Sequence, residues 1–211
     1  MNVLPVVVAV TAAVLAALAL GVYLSWRATR LHRLHVRVDI ARAALEEALR
    51  RRGAAVLDLV AARVRAADDP ESGDHGRVPA PVEELMAAAT AALATRGPGR
   101  DRVGSGDELA ESRLSRALRA AVEHADGHVG TVAATPSEEV RERLAAVATA
   151  ARSVQLARTF YNDAVSDTRR ARRSRPVRLF RLAGTAPLPD YFDIDDEAPR
   201  TPSTMAEPDT L

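Results

Sequence analysis

Apolar and polar positions fall into two regimes along this chain. Residues 3–24, VLPVVVAVTAAVLAALALGVYL, carry no charge at all. Beyond Trp26 the apolar residues recur in alternating steps of three and four. Leu31, Leu34, Val38, Ala41, Leu45 and Ala48 form one such stripe, resumed at Val56, Leu59 and Val60. A second runs Val140, Leu144, Val147, Ala151, Val154, Arg158, Tyr161, Val165. That period places each set on one helical face that must find a partner. The spacing predicts helices over about 26–66, 81–95, 107–126 and 136–172. Leu109, Leu114, Leu118, Ala121 and Val122 form the inner face of the third.

Turn and cap residues punctuate this pattern. DDPESGDHGRVPAP (68–81) and RGPGRDRVGSG (96–106) read as connectors. Pro81 suits a first helical turn. Ser105 with Glu108, and Thr135 with Pro136 and Glu138, have the spacing of N-terminal capping boxes. Gly53 costs on the order of 1 kcal/mol in a helix interior and marks a candidate bend.

The uncharged segment is long enough to cross a bilayer. Twenty-two helical residues span about 33 Å, against roughly 30 Å of hydrocarbon. Tyr23 and Trp26 stand at its far end, where amphipathic rings favour the headgroup layer. Arg27, Arg30, Arg33, Arg37 and Arg42 follow, opposed only by Asp39. Positive flanks stay cytoplasmic, so the expected topology is N-terminus outside and the remainder inside. The alternatives are a cleaved signal peptide, for which Ala17-Leu18-Ala19 offers a site, and export of the bundle. Ala9, Ala13, Ala17 and Gly21 share one ridge, a surface for homo-oligomer formation through the transmembrane helix.

Composition narrows the function classes. Charged residues are 27% of the chain, yet the net charge is +1. Every basic residue is arginine and alanine is abundant, a pairing typical of GC-rich coding, so arginine counts alone carry little weight. There is no cysteine, which excludes disulfides and thiolate chemistry. Aromatics are 3%, too few to interleave a basic patch, which argues against nucleic acid as a partner. His124 and His128 are four apart without a third ligand, so no metal site is expected. No phosphate loop or nucleophile motif is present, so no cofactor and no catalytic residue is expected.

The segments VDIARAALEEALRRRGAAVLDLV (38–60), ARTFYNDAV (157–165) and RLFRLAGTAPLPDYF (178–192), behind an N-terminal span, resemble the LemA family of bacterial membrane proteins. The match is most specific at Ala157, Arg158, Tyr161, Asn162 and Val165, and the resemblance covers roughly residues 1–193. It implies a four-helix bundle behind a single span, and it implies no enzyme activity, cofactor or catalytic residue.

The expected fold is therefore all-α: a transmembrane anchor over 1–25, then an antiparallel four-helix bundle with long first and last helices over 26–184. Residues 185–211, Pro-rich and acidic, read as a disordered tail. Within it, Tyr191 and Phe192 are candidate docking anchors for a partner, or fold back onto the bundle. Arg158, Tyr161 and Asn162 interrupt the last apolar stripe. A buried charge there needs a carboxylate or a route to the edge, with Asp39, Glu46 and Asp58 as candidate partners. The cluster is expected to fix helix pairing, the rival being a ligand or catalytic pocket. Arg27, Arg30, Arg33, Arg169, Arg170, Arg172, Arg173 and Arg175 are expected to meet anionic lipid headgroups at the inner leaflet. The expected function is a non-enzymatic scaffold or interaction module for an unknown protein partner at the inner membrane face.

Overall fold

The computed structural model describes residues 3–68, 80–95, 105–127, 137–180 and 187–194. The described residues are all-helical and hold no strand. The elements are α1 (Val3–Ala67), α2 (Ala80–Ala94), α3 (Ser105–Gly127), α4 (Glu138–Arg173) and the short α5 (Arg175–Leu179). α1 is one uninterrupted helix, so Gly53 does not end it.

The chain divides into two compact units. The first takes residues 1–41 and 162–191, the second 42–161 and 192–211. In the first unit the apolar residues of α1 between Val3 and Trp26 are exposed, Leu4 at 76% and Leu18 at 62%, except the half-buried Leu24. This is one helix near the N-terminus long and apolar enough to cross a membrane. Beyond it, Leu31 and Val38 of α1 are buried, as are Ala164, Val165 and Thr168 of α4 and Val177 of α5. The Thr168 hydroxyl donates to the Ala164 carbonyl at 2.9 Å and lies 3.5 Å from the Leu34 carbonyl. Arg37 and Asp167 pair at 3.1 Å. Pro176 opens α5 with its missing N–H in the first turn, where it costs least.

The second unit holds the main core. Val56, Leu59, Val60 and Ala62 of α1 cluster with Val82, Leu85, Ala89 and Ala92 of α2. α3 adds Ala110, Leu114, Ala117, Leu118, Ala121 and Val122, and α4 adds Val140 and Val147. α2 packs directly on α3. Two of the four α2 residues are alanine, and Gly53 of α1 adds another small residue where the helices meet. A Cβ there would stand 2.8 Å from Leu93 Cδ2. The glycine thus makes room for the Leu93 side chain between α1 and α2.

Two details differ from the sequence expectation. Leu109 is 59% exposed while Ala110 is buried. Five residues separate Leu109 from Leu114, about 140° off the seam at 100° per residue, whereas Ala110 is one turn away. The amide of Val140 donates to the Ser137 hydroxyl at 3.4 Å, so Ser137 caps α4, and Glu138 and Glu139 occupy its first turn. Thr135 and Pro136 lie outside the described residues, as does the His124/His128 side-chain pair.

Candidate functional site

Arg158 and Tyr161 belong to the second unit and Asn162 to the first. Tyr161 is 3% exposed and continues the α4 seam from Val154. Asn162 is half-buried. Arg158 is half-buried too, and its guanidinium is held by the C-terminal segment. Nη1 donates to the Ile194 carbonyl at 3.2 Å and lies 3.5 Å from Asp193 Oδ1. None of the three helix-one carboxylates expected as partners makes this contact. Asp58 instead stands 3.9 Å from Arg143.

The segment bearing Tyr191 and Phe192 is therefore fastened to the protein itself. Phe192 and Ile194 are buried while Asp193 between them is exposed. The amide of Asp193 donates to Glu108 Oε1 at 3.1 Å. Phe192, at 1% exposed, is not available as a docking anchor in this state, whereas Tyr191 is 48% exposed.

A buried polar cluster in the second unit was not weighed from the sequence. Arg52 of α1 forms an ion pair with Glu111 of α3, and its Nη1 donates to Ser115 Oγ at 3.2 Å. Their residue exposures are 3%, 0% and 4%. The sequence signal was present: Leu45, Leu49, Arg52, Val56 and Leu59 step by 4, 3, 4, 3, and Glu111 lies three residues before Leu114. Both charges therefore sit on apolar stripes. Nearby on the surface, Glu47 accepts from Arg51 at 2.8 Å and also pairs with Arg50. The Arg51 hydrogen bond holds the Glu47 carboxyl below its usual range.

All eight arginines expected at the inner leaflet fall in the first unit, and each is exposed or half-buried. Arg27 and Arg30 lie over the rings of Tyr23 and Trp26, at 5.6 and 5.9 Å from the centroids. Arg27 Nε also donates to the Tyr23 hydroxyl at 3.1 Å. These pairs cap the apolar span with rings and cations together.

Arg169, Arg172 and Arg173 converge with Arg178 and Leu188 on an open cleft of about 270 Å³, while Arg170 and Arg175 do not line it. Residues 187–191 brace two of these side chains. Arg172 donates to the Pro187 carbonyl at 3.0 Å. Arg169 donates to the Pro189 carbonyl at 2.7 Å, pairs with Asp190 at 2.6 Å and lies 4.9 Å from the Tyr191 centroid.

No family model and no curated protein matches this chain.

Chemically, the described residues offer cation-rich surfaces. They contain no group of three acidic or imidazole side chains that could hold a metal. Arg158 is committed to its own C-terminal segment. The cleft in the first unit is where several guanidiniums face one space.

Proposed function

We propose that this is a single-pass membrane protein of LemA type, with its N-terminus outside and a cytoplasmic antiparallel four-helix bundle. The bundle acts without catalysis, as a scaffold or interaction module at the inner membrane face. One observation carries the reading. An uncharged stretch of α1 leaves its apolar side chains exposed from Val3 to Tyr23, and arginines follow it. Apolar surface of that extent needs lipid, and the arginines select the cytoplasmic side.

The antiparallel arrangement has support in the second unit. Asp58 stands by Arg143 and Arg65 pairs with Glu139 at 2.5 Å, so numbers rise along α1 as they fall along α4. The scaffold reading is supported by Arg158, whose guanidinium fastens a chain segment.

The native chain lacks cysteine, so single thiols report cleanly on topology. Asn2→Cys and Ser203→Cys are treated in intact cells with a membrane-impermeant maleimide. Labelling at position 2 alone is the expected outcome. Labelling at position 203 would place the bundle outside and reverse the assignment.

A further inference from the structure

We propose that the cleft formed by Arg169, Arg172, Arg173, Arg178 and Leu188 holds the phosphate monoester headgroup of an anionic phospholipid. The inference rests on the membrane-anchored reading and adds a selective site to it.

Charge comes first. Asp190 neutralises Arg169, which becomes a fixed wall. The charges of Arg172, Arg173 and Arg178 face no carboxylate among the described residues. Three guanidiniums around a small space match a dianionic phosphate through charge-assisted, bidentate hydrogen bonds. A phosphodiester offers them half the charge and fewer free oxygens.

Size and polarity come next. At about 270 Å³ the cleft lies just under the volume of drug-sized pockets, about 300–1,000 Å³. A bare phosphate on glycerol fits within such a space. Leu188, 50% exposed, supplies one apolar wall, and Leu179 and Phe180 are exposed nearby on and just after α5. A soluble phosphate ester has no use for that apolar flank, whereas a lipid places its glycerol and first methylenes there.

Depth agrees with this. Within the first unit Thr168 lies beside Leu34 and Asp167 beside Arg37, so α4 runs back toward the apolar span. Arg173, five residues beyond Thr168, is about 7.5 Å further along. That brings it level with about residue 29, roughly 8 Å past Leu24, within the headgroup layer. The braces from Pro187 to Tyr191 hold Arg169 and Arg172 in advance, so less side-chain entropy is lost on binding.

Trp26 is the single tryptophan and serves as the only fluorescence donor. The full chain is reconstituted in phosphatidylcholine vesicles. These are doped equally with acyl-chain dansyl lipids bearing phosphatidic acid, phosphatidylglycerol or phosphatidylcholine headgroups. Phosphatidic acid should be enriched around Trp26 over phosphatidylglycerol by about fivefold, roughly the worth of one guanidinium near an anionic surface. Arg173→Gln/Arg178→Gln should bring phosphatidic acid down to the phosphatidylglycerol level with helical circular dichroism retained, and Arg178→Glu should do the same. Arg33→Gln/Arg170→Gln, off the cleft, should lower both anionic lipids together. Equal enrichment of the two anionic lipids in the native chain would overturn the site. So would loss of the preference in Arg33→Gln/Arg170→Gln, or displacement of the lipid by millimolar glycerol phosphate, which would make the ligand a free phosphate ester. Failure to co-float with phosphatidylcholine vesicles would sink the membrane reading itself, whereas flotation without enrichment would sink only the cleft.

Discussion

Two arginines on apolar stripes show how one residue type resolves the same physical problem in different ways. Arg52 is enclosed and meets Glu111 and Ser115. Desolvating both charges cancels much of their attraction, so the pair is weak evidence for stability while each half alone is costly. Glu111→Ala should therefore destabilise the protein by about 3–5 kcal/mol. Arg52→Met with Glu111→Leu together should be neutral or stabilising. Denaturant titration of the three variants in detergent, followed by circular dichroism, decides the matter, and a double variant as damaged as the single would refute it. Arg158 stays near the edge and captures a carbonyl and a carboxylate of the C-terminal segment. Its side chain is 26% exposed and Asp193 is 96% exposed, so solvent screens the ion pair and the carbonyl bond carries most of the effect. Arg158→Leu should leave helical content unchanged and speed amide exchange at Asp193 by about tenfold, the size of one net hydrogen bond. Unchanged exchange would return Arg158 to a purely interhelical role.

At the scale of elements, the helices were legible because the three-four spacing is strong and the apolar residues are large where it matters. The all-α class followed from that spacing. Leu109 misled because a large apolar residue near a helix start draws attention, although its angle puts it outside and a modest alanine inside. The 187–194 segment was hidden for a different reason. Its proline and aspartate content dominates any windowed reading, yet Phe192 and Ile194 alternate with Asp193, a two-residue period that buries one side only. Gly53 was read as a weakness of α1, because its cost is a property of one helix and its benefit belongs to two. Gly53→Ile should destabilise by about 1–3 kcal/mol through overpacking against Leu93. Pairing it with Leu93→Ala should recover part of the loss. A lack of coupling in that double-mutant cycle would deny the contact its importance.

Across the whole molecule, charge is spent locally while the sum stays near zero. A net charge of +1 conceals a first unit in which arginines outnumber carboxylates near an uncharged span, and an acidic C-terminal stretch. The average therefore says little about partners, and the placement of charge along α1 and α4 says more. The same placement explains why the candidate cleft escaped the sequence reading. Arg169, Arg172 and Arg173 were recognised as a run on one helix, but the contribution of Arg178 and Leu188 depends on the turn at Ser174 and on the path of residues 187–191. No helical period encodes either.

The hydrogen bond from the Asp193 amide to Glu108 joins positions 85 residues apart. A ribosome adding about 5–20 residues per second needs roughly 4–17 s to cover that distance. Once Tyr161 is made, the helices of the second unit are complete in sequence and still await Phe192 and Ile194. Maturation of the nascent chain thus has a built-in delay, during which apolar surface awaits its own late-made cover and is open to chaperones or proteases.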